Sequence, residues 1–185
     1  MSVGGAESAL ILLVIPQNRF CGQQFSELKS FFDEVSLKTI ILSKSGNEAI
    51  GENKTRVLPD GILVDWDKRI FHKKKYDAVV VAGGKGAKNS IWNDPILPQI
   101  LTDHYRAGKV VGALGLSVVA LARAGLLNRQ ETSSPDNKVC VQELKDAGAF
   151  ISKEAICSSN RIVTARDDTC GERFGKTILE ALNLI

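Results

Sequence analysis

Asp77-Ala78-Val79-Val80-Val81-Ala82-Gly83-Gly84 is the stretch that decides the fold. Apolar residues follow one another from Ala78 to Ala82 with no polar alternation, as in a strand covered on both faces by helices. The glycine pair ends the run at the strand's carboxyl edge, where open parallel sheets bind their ligands. Outward from it, residues 9–15 (ALILLVI), 37–42 (LKTIIL) and 109–114 (KVVGAL) read as further strands. Phe25, Leu28, Phe32 and Val35 recur at helical spacing over 24–35. A second helix is predicted over 94–107, closed by Gly108, and a third over 117–127 with Ser117 as N-cap. Pro59-Asp60-Gly61 between branched apolar residues predicts an edge hairpin over 56–67. The last third predicts a helix over 141–147 and a hairpin over 155–165 turning at 158–160. A terminal helix follows, with Phe174, Ile178 and Leu182 four residues apart on one face. This alternation describes one α/β domain over 1–185, with 1–8 a flexible N-terminus and a mostly parallel sheet between helix layers. The loops expected to carry chemistry follow Ile15, Ala82, Leu114 and Ala165.

Composition narrows the function. A 44% hydrophobic and 24% charged chain is an ordinary globular one. A net charge of +3 does not build the concentrated basic face that nucleic acid requires. The dense basic stretch from Lys68 and Arg69 to Lys73, Lys74 and Lys75 reads as a solvated face or as a patch for an anionic partner. The longest apolar run, 9–15, falls far below the ~20 residues that span a bilayer. Glu7 stands where a signal peptide would carry basic residues. Cys21, Cys140, Cys157 and Cys170 are widely spaced, and two histidines supply no zinc pattern. Free thiols and a cytoplasmic protein without metal or cofactor are expected. The loop from Pro16 to Gly22 lacks a dinucleotide glycine pattern, and Gly83-Gly84-Lys85-Gly86 does not meet the phosphate-loop spacing.

Four collinear segments resemble the ThiJ/PfpI superfamily. Tyr76 to Gly84 resembles its strand with a terminal glycine pair. Val111-Gly112-Ala113-Leu114-Gly115-Leu116-Ser117, with 121–127 behind it, resembles its nucleophile elbow and following helix. Thr132-Ser133-Ser134 resembles the turn after that helix, and Ile162 to Arg166 the last strand with its pocket arginine. The likeness runs over roughly residues 9–183. It implies a flavodoxin-like three-layer sandwich, a homodimer and a cysteine-dependent hydrolase, deglycase, glyoxalase or amidotransferase-like activity. It also implies an elbow cysteine supported by a glutamate from the first loop, with backbone amides after the glycine pair stabilising an oxyanion.

Gly115 falls where that resemblance puts the cysteine, and Leu116 where many relatives carry histidine. Glycine offers no nucleophile but tolerates an elbow's backbone. Gln24 falls on the glutamate, and its amide neither holds a negative charge nor acts as a base. Two members of one catalytic pair are thus absent together. The expectation is a non-catalytic small-molecule binder or interaction protein whose pocket includes Gln24, Gly83, Gly84, Gly115, Leu116 and Arg166, taking a small anionic or carbonyl ligand. The alternative is an enzyme of the family's kind using Cys21 or Cys170, both in loops near the pocket. Arg166 either pairs with Asp167, Asp168 or Glu172, or grips an anion. Adjacent Asp167 and Asp168 are a weak metal signal. Cys140 and Cys157 are expected to be structural, and His72 and His104 to lie on the surface. Phe31, off the main stripe of the first helix, is expected to face a partner copy.

Overall fold

The computed structural model describes residues 9–70 and 75–185, so residues 1–8 and 71–74, His72, Lys73 and Lys74 among them, lie outside the described residues. In chain order the strands are β1 (Leu10–Val14), β2 (Lys38–Ser43), β3 (Ala49–Ile50), β4 (Arg56–Val57), β5 (Gly61–Ile62), β6 (Ala78–Val81), β7 (Val110–Leu114), β8 (Glu131–Thr132), β9 (Phe150–Ile151), β10 (Ile156–Ser159) and β11 (Ile162–Ala165). The helices are α1 (Gly22–Glu34), α2 (Ala87–Ser90), α3 (Leu97–Arg106), α4 (Val118–Arg123), α5 (Lys138–Asp146) and α6 (Gly171–Ala181). Seven strands form the main sheet in the order β10-β11-β7-β6-β1-β2-β5. Every pairing in it is parallel except β10 with β11.

The unbroken apolar runs are explained by two cores, one on each face. Leu10, Leu12, Val14, Val79 and Val81 pack with α3, α4 and α5 on one side. Ile11, Leu13, Ile15, Ala78 and Val80 pack with Phe25, Leu28 and Phe32 of α1 and Phe174 and Ile178 of α6 on the other. Strand side chains alternate between faces, so a strand covered twice needs apolar residues at every position. The result is a three-layer α/β sandwich with a mostly parallel sheet.

Several local expectations are corrected. Residues 56–67 form no hairpin: β4 pairs antiparallel with β3 in a separate ribbon, while β5 pairs parallel with β2 at the sheet edge. Asp60 is why the local turn signal loses. Its amide donates to Ile41 O and its carboxylate accepts from Ile41 N, both at 2.7 Å, tying the segment to β2. Leu63–Arg69 then continues as 3-10 helix. The β10–β11 hairpin exists but turns at Asn160 and Arg161, with φ of 51° and 64°. The predicted stop at Gly108 holds: its φ is 78°, and Lys109 N donates to His104 O at 3.0 Å. Phe31, expected to face a partner copy, is buried against Gly175 of α6 with 8% of it exposed.

His104 is the largest departure. The residue expected on the surface is fully buried, its Nδ1 2.7 Å from Ile100 O and its Nε2 accepting from Tyr76 N at 3.2 Å. In the basic stretch, Lys68 pairs with Asp65 at 2.9 Å, and Lys75 lies over the Trp66 ring and 4.0 Å from Asp103. No helix among the described residues is long and apolar enough to cross a membrane.

Candidate functional site

β7 delivers the chain to a sharp turn at the sheet's carboxyl edge. Gly115 opens the 3-10 turn Gly115–Ser117 with φ of 56°. A Cβ there would stand 3.2 Å from Asp167 Cβ. Gly115→Ala is therefore expected to cost about 1–2 kcal/mol, from left-handed backbone and crowding together. Urea unfolding of the two proteins measures this directly, and equal stability would show the turn to be relaxed.

Ser117 does not cap α4. It already has helical φ and ψ of −72° and −9°, and its buried hydroxyl donates to Ala82 O at 2.6 Å. The turn is thereby stitched to the end of β6. Trp92 Nε1 donates to Leu116 O at 2.8 Å and holds the other side. Thr132 and Ser133, from the turn singled out in sequence, bond Thr164 Oγ1 on β11 and so support the same edge.

Gln24 lies in α1 rather than in the loop before it, and only 5% of it is exposed. Its Nε2 donates to the carbonyls of Arg166, Asp167 and Thr169 at 3.3, 2.6 and 2.9 Å. Three carbonyl acceptors leave no ambiguity about which end of the amide is nitrogen. The Oε1 consequently points toward Gly83, where a Cβ would stand 3.2 Å from it, and it has no hydrogen-bond partner among the described residues. Gly83 O accepts from Cys21 N at 2.8 Å, and Gly84, with φ of 128°, lies close enough to Arg19 O and Phe20 Cα to exclude any side chain.

A cavity of about 340 Å³ opens in front of the turn. Gly84 and Leu116 line it with Cys21, Lys85 and three carboxylates, those of Glu52, Asp167 and Asp168. Burial pushes the Cys21 thiol above its ordinary value, and Glu52 and Asp167 push it further, against hydrogen bonds from the main-chain N–H groups of Gln24 and Gln23. A neighbouring cleft of about 180 Å³ shares Cys21, Asp167 and Asp168 with this cavity and adds Gln24, Glu27 and Cys170. There the Glu27 carboxyl is held below its usual range by hydrogen bonds from the Gln23 side chain, the Cys170 thiol and the Gly171 amide.

Arg166 reaches a residue of the cavity wall, Asp168, without lining the cavity itself. Its Nε lies 3.3 Å from Asp168 Oδ1. The expectation of an anionic ligand rested on this guanidinium, whereas the cavity wall is lined by three carboxylates and one ammonium. Cys140 and Cys157 are buried and accept from the hydroxyls of Ser134 and Ser133. Glu52 and Lys85 were not singled out in sequence. Glu52 sits in a loop whose position depends on Glu52 N donating to Phe20 O at 2.9 Å, and its carboxylate accepts from Lys85 N at 2.7 Å. No local pattern announces such a pairing.

Residues 10–181 match the family model described as DJ-1/PfpI family. The chain belongs to the DJ-1/PfpI family. Among DJ-1/PfpI relatives, the uncharacterized protein MJ0967 of Methanocaldococcus jannaschii is 28% identical over 176 residues, spanning 95% of this chain and 83% of that one. Protein dj-1beta of Drosophila melanogaster is 21% identical over 179 residues, spanning 96% and 90%. The solved ThiJ/PfpI domain protein of Brachyspira murdochii superposes with a TM-score of 0.85 at 24% identity, over 95% of this chain and 97% of that one. At such identities the DJ-1/PfpI structures establish the shared fold.

Proposed function

We propose that this DJ-1/PfpI protein is a non-catalytic binder of a small molecule, with the elbow cavity as its site. The observation that carries the reading is Gly115 at the turn, with φ of 56° and no side chain where the resemblance puts a cysteine. Gln24 supports it independently, since its amide nitrogen is committed to three carbonyls and cannot accept a proton from substrate. The carboxylate-lined wall favours a neutral, carbonyl-bearing ligand over an anion. Hydrolase, deglycase and glyoxalase assays should give no turnover above background. Turnover lost on Cys21→Ser or Cys170→Ser would replace this reading with the enzyme alternative. Turnover independent of every cysteine would reject both.

The thiols offer a quicker test. A nucleophilic cysteine reacts as its thiolate, and burial plus two nearby carboxylates disfavour that form at Cys21. Iodoacetamide at pH 7 should therefore modify Cys21 more slowly than free cysteine. Faster modification of Cys21 would argue for the enzyme.

A homodimer and a cytoplasmic location belong to the same proposal. The family resemblance supports the first, now without Phe31, and four free thiols support the second. Light scattering that reports a monomer at micromolar concentration would remove the dimer.

A further inference from the structure

A separate cleft of about 270 Å³ is lined by the loop after β1, and it shares no lining residue with the elbow cavity. Gln17, Asn18, Arg19, Lys44, Asn89 and Ser90 line it together with Gly86, and no carboxylate does. The two openings thus differ in sign. One presents three carboxylates to one cation, the other two cations to none.

The wall divides into a fixed part and an uncommitted part. Gln17 N donates to Ser90 Oγ at 3.0 Å, and Ser90 Oγ donates to Gly86 O at 3.2 Å. Gln17 Oε1 accepts from Ser43 Oγ and Ser45 N at 3.1 and 3.0 Å. These bonds tie the loops after β1, β2 and β6 into one frame. The side chains of Asn18, Arg19, Lys44 and Asn89 make no hydrogen bond or ion pair among the described residues, and all four are exposed. Four donor-bearing side chains therefore line one cleft with no hydrogen-bond partner among the described residues.

Arg19 adds a backbone observation. Its φ is 53°, a left-handed conformation that a long side chain adopts at a cost. The conformation is locked from both sides, by Arg19 N donating to Ile50 O at 2.6 Å and Gly86 N donating to Arg19 O at 3.1 Å. Strain held in this way presents the guanidinium at the carboxyl edge of β1, where open α/β sheets take ligands.

We infer that this cleft binds the phosphate group of a small phosphorylated metabolite. A guanidinium matches phosphate oxygens with paired donors, an ammonium adds a point charge, and carboxamide N–H groups complete the shell. A phosphate monoester carries close to two negative charges at pH 7, which Arg19 and Lys44 balance. The volume falls just under the ~300 Å³ at which ordinary ligand pockets begin, which suits a three-carbon ester and not a nucleotide.

Titration of the ¹⁵N-labelled protein with glycerol 3-phosphate tests the assignment, with inorganic phosphate and glycerol alongside. Amide shifts should concentrate at residues 17–19, 44 and 86–90, weaken as salt is raised, and be absent with glycerol. Arg19→Gly keeps the left-handed backbone and should weaken binding about tenfold or more, the loss expected of a charged bidentate contact. Lys44→Gln should weaken it about fivefold, and Asp167→Asn in the elbow cavity should leave it unchanged. The inference is overturned if no shifts appear at these residues, or if binding survives both Arg19→Gly and Lys44→Gln. Tighter binding of inorganic phosphate than of the ester would overturn the metabolite assignment.

Discussion

Gln24→Glu is expected to destabilise the protein by about 3 kcal/mol at pH 7 and by clearly less at pH 4. The wild-type amide donates to three main-chain carbonyls from a nearly buried position. A carboxylate there places oxygen against oxygen, loses those hydrogen bonds and strands a buried charge. The neutral acid recovers one bond with its single proton, so the folded state favours it and the new carboxyl titrates above its ordinary range. For an acid raised in this way the ionisation part of the penalty is absent while both states are protonated. It grows as pH rises through the unfolded value of ~4.3. Urea midpoints of both proteins at pH 4 and pH 7 measure the difference. Equal stability at pH 7 would mean that the amide is not committed as described. A second consequence concerns the family pair. Adding Gly115→Cys to Gln24→Glu is expected to create a fast-reacting thiol at the helix terminus, on a fold weakened by both changes.

This site shows what a sequence carries and what it omits. Gly115 was legible because a glycine at a strand-to-helix turn has a backbone reason to be there, and the φ of 56° follows from it. Gln24 was legible as a position but not as an interaction. Its three acceptors belong to residues more than 140 positions away, and no spacing rule connects them. For Arg166 the sequence offers three carboxylates as ion-pair partners, and only the folded chain places Asp168 Oδ1 3.3 Å from its Nε.

The same contrast runs through the fold. Strands covered on both faces announce themselves by composition alone, as β1 and β6 did, because burial at every residue demands apolar side chains. Pro59-Asp60-Gly61 misled because turn chemistry is local, while Asp60 answers to Ile41 on a neighbouring strand. Phe31 misled for a related reason. Its position off the α1 stripe meets Gly175 on α6, and a glycine 144 residues later cannot be inferred from helical periodicity.

Lowering the pH from 7 to 4 is expected to remove about 3 kcal/mol of stability through His104 alone. The ring is fully buried between α3 and the approach to β6, edge-on to Trp66 with centroids 5.2 Å apart. Nδ1 donates to Ile100 O, so Nε2 must be the unprotonated acceptor for Tyr76 N. A proton on Nε2 would face that N–H and would charge a group that water does not reach. Burial accordingly pushes the His104 pKa down to about 4, with the Ile100 bond opposing and Lys75 assisting. In the unfolded chain the imidazole takes its proton near ~6.5. Between these values the unfolded state binds a proton that the folded state refuses, so stability falls as pH drops from ~6.5 toward 4 and levels off below. His104→Gln offers an amide oxygen to Tyr76 N without titrating in this range. Urea unfolding at pH 7, 5.5 and 4.5 should show the variant losing less stability on acidification than the wild type, by about 2 kcal/mol or more. Parallel pH profiles for the two proteins would show that His104 takes up no proton on unfolding, and that its burial has no electrostatic consequence.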